Sequence, residues 1–510
     1  MRLPAPALLD LPFDGWRPQQ SYAVKQTQKT TAPFVVLQLP TGAGKSGIAL
    51  ALLRQSHRRG VILTSTLSLQ DQYSRTADWL CDARGMRNYE CLAAKDQFKR
   101  FFPARRYVGC DEGPCRADFK CQLREDGCTF FDADREMRRA QWIVTSYSKW
   151  LSSRRYANGM GAAPLLVCDE AHHLADELMS ACRIEIPRGL VRGKRPRTIA
   201  SWKAWAASQK QRLDAQTDES AARLHQQPLR DKLGAMAYMQ PETWAWEDTE
   251  RGVAFEPVVP RLLLPLLVGQ DQQTTVFLLA TITPDVLALV GVPRDQMEFI
   301  AFPSTFDVAR RPLYCLWTAR VDYRTSLGDW LYVIETIDEI ISARLDRKGL
   351  VHSVGFDRGE DIWRRSTHQA SMILHRRGEP ITEALAAFDR RPAPAILVSP
   401  SITTGHDFPG SRAEYQILPK LPFPDTRSRI AKARIEHTPD YRDQQTMQTL
   451  VQTVGRIVRA DEDQGESFLL DNHFRLWFFR RAQRFAPSWF QDAIFYEDRA
   501  IPTPPPRLAT

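Results

Sequence analysis

The sequence predicts an α/β protein made of two successive units, each a parallel sheet flanked by helices, and three stretches carry that prediction. Phe34-Val-Val-Leu-Gln38, a short apolar run with the look of a buried parallel strand, passes through the glycine loop Leu39-Pro-Thr-Gly-Ala-Gly-Lys-Ser46 into the helical Gly47–Leu53. Leu165–Cys168 repeats the buried-strand pattern and ends directly in Asp169-Glu-Ala-His172. From Trp330 the chain begins a second rhythm: an amphipathic helix to Leu345, then strands at Gly349–Val354 and Ala395–Ser399. With 510 residues, 43% hydrophobic and 25% charged, the chain can bury the cores of roughly two to four domains.

Bulk properties narrow the function classes. The formal net charge of +9 and a pI near 9.1 favour a polyanionic partner. Met1–Asp10 is broken by prolines before any signal-peptide core forms, and the most lipid-like run, Leu262–Val268, is too short to span a bilayer. A cytoplasmic protein without membrane contact is expected. There the nine cysteines stay reduced, so a cluster of them points to a metal rather than to disulfides.

In chain order, Arg17-Pro-Gln-Gln20 stands ahead of the first strand, where a planar amide can read an adenine edge. In the glycine loop, Gly42 and Gly44 permit the tight turn, and backbone N–H groups at the helix start face phosphates with the positive helix end behind them. Lys45 adds a point charge, and Ser46 offers a hydroxyl to Mg²⁺. Gly60–Thr66 reads as a second strand whose terminal hydroxyls suit either phosphate contacts or the capping of the helix opening at Leu69–Tyr73.

Cys91, Cys110, Cys115, Cys121 and Cys128 follow among charges and aromatics. Taking Cys91, Cys115, Cys121 and Cys128, the spacing C-x23-C-x5-C-x6-C has neither the C-x-x-C pairs nor the histidines of common zinc modules. Four thiolates without histidine suit an iron–sulfur cluster or a four-cysteine zinc site. Phe130–Ala140 is helical and strongly charged, and Trp142–Tyr147 is a strand. After the strand ending at Cys168, Asp169 can hold Mg²⁺ through water while Glu170 positions and deprotonates an attacking water.

Residues 183–270 bear no catalytic motif; Trp202, Lys203, Trp205, Lys210, Arg212 and Arg223 lie in segments of helical character, equally readable as a solvated basic face. Thr275–Thr281 returns to the sheet, and Tyr415–Leu418 is a further strand. In Gln452-Thr-Val-Gly-Arg-Ile-Val-Arg459, the residues Gln452, Arg456 and Arg459 fall four and three apart, on one helical face, which lets both guanidiniums enter a cleft opposite Lys45. The proline-rich end, Ile501–Pro506, reads as disordered.

In this order the motifs resemble those of the XPD/DinG-like superfamily 2 DNA helicases of the iron–sulfur branch, in their compact bacterial and phage form. Thr41-Gly-Ala-Gly-Lys-Ser46 resembles motif I, Thr64-Ser-Thr66 motif Ia, and Asp169-Glu-Ala-His172 motif II. Thr275–Thr281 resembles motif III with Leu279 in place of the usual serine, Pro400–Gly410 motif V with Gly405 and Asp407 matching, and Gln452–Arg459 motif VI. The resemblance implies two RecA-like motor domains. The first would comprise 1–80, 141–182 and 271–310, with an iron–sulfur insert at 81–140 and an arch-like helical insert at 183–270; the second would be 311–500, with 501–510 as the tail.

It also implies roles. ATP and Mg²⁺ would bind between the motors, with Lys45, Asp169, Glu170, Arg456 and Arg459 catalytic. Arg17, Gln20, Thr41, Gly42, Ala43, Gly44, Ser46, His172, Asp407 and Gln452 would contact nucleotide. A [4Fe–4S] cluster would sit on Cys91, Cys115, Cys121 and Cys128, leaving Cys110 spare. The expected partners are single-stranded DNA and forked or tailed duplex, engaged by a monomer moving 5′ to 3′. A nucleic-acid-stimulated ATPase that senses or remodels without processive unwinding is the alternative.

Overall fold

A computed structural model of the chain describes all residues except 1–2, 41–42, 97–106, 114, 116–120, 157–158, 194, 216–220, 280–282, 304–306, 403–405, 407, 459–462, 498–499 and 507–510. Helix α1 (Pro18–Lys29) precedes strand β1 (Phe34–Gln38), and α2 (Lys45–Ser56) leads to β2 (Gly60–Thr64), α3 (Leu67–Thr76) and β3 (Cys81–Ala83). Beyond the cysteine region come α4 (Thr129–Arg139), β4 (Trp142–Ser146), β5 (Leu165–Cys168) and α5 (Leu174–Ala181). A smaller unit holds β6 (Ile184–Pro187), α6 (Ile199–Ala215), α7 (Ala221–Ala235), β7 (Trp244–Asp248) and β8 (Gly252–Pro257), after which β9 (Thr274–Leu279) and β10 (Met297–Ala301) rejoin the first sheet.

That sheet has the order β10-β1-β9-β5-β2-β4-β3, with every pairing parallel. Its central strands β1, β2 and β5 are buried along their whole length, as expected of strands covered on both faces. β1 and β5, which feed the glycine loop and the acidic tetrad, both pair with β9, so their ends open side by side.

The second sheet is built from β11 (Leu313–Ala319), β12 (Lys348–His352), β13 (Met372–Leu374), β14 (Ala395–Ser399), β15 (Tyr415–Leu418), β16 (Glu466–Asp471) and β17 (Ile494–Glu497). Its order is β13-β14-β12-β15-β16-β11-β17, again all parallel. Helices α8 (Arg429–His437) and α9 (Asp440–Val454) lie between β15 and β16. The two sheets share a hydrophobic cluster in which Leu166 and Leu178 of the first belong with Leu418, Leu450 and Val451 of the second. The fold is thus two RecA-like parallel-sheet α/β domains.

Three expectations change. The 183–270 segment is not purely helical: β6-β8-β7 form an antiparallel sheet whose core includes Trp202 of α6. Trp202 is fully buried against Trp205, Trp246 and Phe255, which makes it a core residue rather than part of a solvated face. Arg456 does not continue the helical face of Gln452, because α9 ends at Val454 and Gly455 caps it. The proline-rich end is docked through Pro506: Ile501 packs on the second core, and Pro502 and Pro505 carbonyls accept from Arg344 and Arg347.

Candidate functional site

The glycine loop is shaped by a backbone that a side chain would obstruct. Gly44, at the N-cap of α2, has φ +78°, and a Cβ there would meet Gln20 Nε2 at 2.2 Å. Gln20 is therefore part of the loop's support: its Oε1 accepts from Arg17 N at 2.9 Å and its Nε2 donates to Gly44 O at 3.1 Å. The structure assigns this amide to holding the loop, where the sequence pointed to an adenine edge. Ala43 is buried beside Gly44, while Thr41 and Gly42 lie outside the described residues.

Across the β1 and β5 ends, Lys45 Nζ pairs with Glu170 Oε1 at 3.0 Å. Glu170 sits in the left-handed region at φ +48°, a strained position for a residue with a side chain and one found most often where function over-determines the backbone. Its second oxygen faces His172 Nδ1 at 3.1 Å. Burial pushes the Glu170 carboxyl up, but Lys45 and His172 outweigh it and hold the group at about 2.

Asp169 is enclosed. Its Oδ1 accepts from Glu170 N at 2.8 Å, its Oδ2 from the Tyr73 phenol at 2.7 Å, and its own carbonyl from Tyr147 at 3.0 Å. Burial and the neighbouring Glu170 raise its pKa to about 6, against the opposing pull of Lys45 and Tyr73. Burial and the Asp169 charge raise the Tyr73 phenol well above its ordinary range while Ser46 beside it acts in the opposite sense, so one phenol stands between the two side chains expected to serve Mg²⁺. Sequence reasoning missed Tyr73; its only signal was an aromatic residue in the helix after β2. Thr66 resolves to the plainer of its two readings, accepting from Leu69 N as the N-cap of α3.

The second domain closes the site. Burial lowers His172 to about 3, so its ring is neutral; Nδ1 lies near Glu170 Oε2 without a hydrogen bond, and Nε2 accepts from the Gln452 amide. Arg456 is buried, donates to His406 O, and acts electrostatically on His172. The structure thus gathers Lys45, Ser46, Asp169, Glu170, His172, Gln452 and Arg456 around one cleft. Asp407 and Arg459 lie outside the described residues.

Two further features flank the first domain. Cys91, Cys110, Cys115, Cys121 and Cys128 line one small cavity with Leu123 and Phe131. Cys110, left spare by the family resemblance, shares that cavity with Cys91 and Cys128 and interacts electrostatically with both. The neighbouring Cys110 lowers the Cys91 thiol to about 7. No three His, Cys, Asp or Glu side chains among the described residues stand in a preformed metal-holding arrangement. The soft, histidine-free donor set around one cavity nevertheless fits a sulfur-ligated group. Beside it, a cavity of about 1630 Å³ opens between the cysteine region, the first domain and the 183–270 unit. Arg124, Arg138, Lys149, Lys210, Lys232 and the strongly exposed Tyr238 line it.

Known proteins agree with this architecture. Residues 357–493 match the family described as helicase C-terminal domain, and residues 14–187 match the res subunit of type III restriction enzymes. No curated protein is matched by the sequence. Among solved structures, one titled XPD helicase aligns with TM-score 0.63 at 12% identity, covering 95% of this chain and all of that one (100%). Xpd4 of S. tokodaii aligns with TM-score 0.58 at 14% identity, covering 94% and 100%. A third, titled XPD apo, gives 0.55 at 12% identity over 92% and 98%. Fold and cleft together define an ATP-hydrolysing helicase. Within that class, its fold is similar to that of the solved XPD helicase structures.

Proposed function

We propose that this helicase moves 5′ to 3′ on single-stranded DNA and opens tailed or forked duplexes, acting as a cytoplasmic monomer. The His172–Gln452 contact carries the reading, because it joins the Lys45–Glu170 side of the cleft to the side bearing Arg456. In this reading the α2 N-terminus and Lys45 bind the terminal phosphates, and Glu170 exchanges its pairing with Lys45 for a water that it orients for attack. Arg456 and Arg459 offset the charge that develops on the transferred phosphoryl group, and Gln20, Arg17, Thr41, Gly42, Asp407 and Gln452 keep the nucleotide in place. Mg²⁺ held by Ser46 and Asp169 would neutralise phosphate charge.

The basic cavity supports passage of a strand: phosphates meet Arg124, Arg138, Lys149, Lys210 and Lys232, and Tyr238 offers a ring to a base. Polarity and a preference for DNA follow from the family resemblance. Among the described residues, no helix is long and apolar enough to cross a membrane. We also assign a [4Fe–4S] cluster to Cys91, Cys115, Cys121 and Cys128, where it would staple a polar segment with little core of its own. Strand displacement on duplexes with 5′ or 3′ tails tests the reading. Release from the 5′-tailed duplex alone is expected; ATP hydrolysis stimulated by single strands without displacement of either substrate would favour a sensor.

A further inference from the structure

A second set of contacts joins the two domains, one turn beyond His172 in the first and about two to three turns before Gln452 in the second. Asp176, in the first turn of α5, accepts from the Tyr441 phenol at 2.5 Å through Oδ1. The Gln445 amide donates to both oxygens of the same carboxylate, at 3.0 Å and 2.9 Å, and approaches the Tyr441 hydroxyl at 2.6 Å. Tyr441 is buried, so its hydroxyl has little freedom to turn elsewhere.

The spacing gives these contacts meaning. On α9, Tyr441, Gln445 and Gln452 follow at i, i+4 and i+11, along one side of the helix; in the first domain, His172 and Asp176 follow at i and i+4. The polar stripe of α9 therefore meets the first domain at two levels. The opposite side of α9 is fixed to its own domain. Asp443 accepts from Trp477 Nε1 at 2.8 Å and pairs with Arg481 Nε at 2.8 Å, and Val454 O accepts from Gln416 at 3.1 Å. A helix pinned on one side to the second sheet and tied on the other to α5 transmits its position to its C-terminal end, where Gln452 and the following Arg456 enter the cleft.

We propose that Asp176, Tyr441 and Gln445 are positioning residues for ATP hydrolysis: a clasp that sets the register of the Gln452–Arg456 segment against Glu170 and His172. The proposal rests on the assignment of those four residues to the ATP cleft. ATP binding draws chiefly on the glycine loop, Arg17 and Gln20, which the clasp does not touch, so loss of the clasp lowers turnover and leaves nucleotide affinity largely in place.

The test uses the full-length protein with saturating single-stranded DNA, measuring kcat and KM for ATP in Tyr441→Phe, Asp176→Ala, Asp176→Asn and the Tyr441→Phe/Asp176→Ala pair. Tyr441→Phe removes one oxygen and keeps the ring packing. Losing a hydrogen bond to a charged acceptor is expected to lower kcat about ten-fold, with KM for ATP unchanged. Asp176→Asn, which keeps an acceptor for the phenol, recovers part of the Asp176→Ala loss, and the double variant is no worse than Asp176→Ala. Wild-type kcat in both single variants, or losses that multiply in the double variant, or a raised KM at unchanged kcat, would overturn the clasp. Failure of the underlying cleft assignment looks different: Glu170→Gln would then hydrolyse ATP like the wild type.

Discussion

Replacing Arg344 by leucine probes the second domain at its most enclosed charge. Arg344 and Glu466 are both fully buried, and they form a two-pronged pair in which Nε and Nη2 each donate at 2.8 Å. Arg344 also donates to Pro502 O at 2.9 Å and to Ile340 O at 3.3 Å, and its guanidinium lies 4.6 Å from the Phe468 ring centroid. In Arg344→Leu, Glu466 keeps Arg347 at 3.6 Å as its remaining cation. Breaking a buried pair from one side costs about 3–5 kcal/mol, and the Arg347 contact places this case at about 3 kcal/mol. For a domain of this size that lowers the melting midpoint by about 6–12 °C. Differential scanning calorimetry of Arg344→Leu and of Arg344→Leu/Glu466→Leu reads the effect, and the double variant should recover most of the loss because the buried carboxylate is gone and Arg347 keeps Asp346 at 3.8 Å. A single variant within 1 °C of the wild type, or a double variant as unstable as the single, would refute the reasoning.

Four further outcomes are expected. Tyr73→Phe, which removes the phenol donating to Asp169 beside Ser46, should raise the Mg²⁺ concentration needed for nucleotide binding, read by titration with a fluorescent ATP analogue. Burial, with Asp176 beside it, raises Glu177 from its ordinary 4.5 to about 7. The folded state therefore holds this proton more tightly than the unfolded state, and stability is lost as pH rises from 4.5 through about 7; Glu177→Gln should melt higher than the wild type at pH 8 and alike at pH 4. Serine at Cys91, Cys115, Cys121 or Cys128 should remove visible absorbance from anaerobically purified protein while Cys110→Ser keeps it; the reverse result for Cys110 and Cys115 would exchange their roles. Single-strand affinity should fall steeply between low and high salt in a filter-binding titration, as phosphate pairing along a basic cavity requires.

Much of the fold was legible because its signals are local. Phe34–Gln38, Leu165–Cys168, Ala395–Ser399 and Tyr415–Leu418 are continuous apolar runs, and each forms the strand its composition implies, since central parallel strands bury both faces. The 183–270 unit was less legible. β7 and β8 are short strands joined by a tight turn, and their tryptophans carry no period that separates core from surface; burial of Trp202 depends on Trp246 and Phe255, some 40 to 50 positions away. The site divides in the same way. Lys45, Asp169 and Glu170 stand where a strand end delivers them, and the sequence shows strand ends. Tyr73 meets Asp169 across 96 positions, and Tyr441 meets Asp176 across 265, pairings that only the packed sheets create. The Q-x-x-G-R-x-x-R spacing suggested one continuous face, but α9 stops at Val454 with Gly455 as its C-cap, which turns Arg456 off the Gln452 face.

The cleft joining Lys45 and Glu170 to Gln452 and Arg456 is proposed to hydrolyse ATP under the control of a bound single strand. Phosphate release by the wild type and by Glu170→Gln, each with and without single-stranded DNA, tests it most directly. Strong stimulation of the wild type by the strand is expected, with a Glu170→Gln variant that binds ATP with ordinary affinity yet turns over at the unstimulated background. Full strand-stimulated hydrolysis in Glu170→Gln, or a wild-type rate indifferent to the strand, would contradict it.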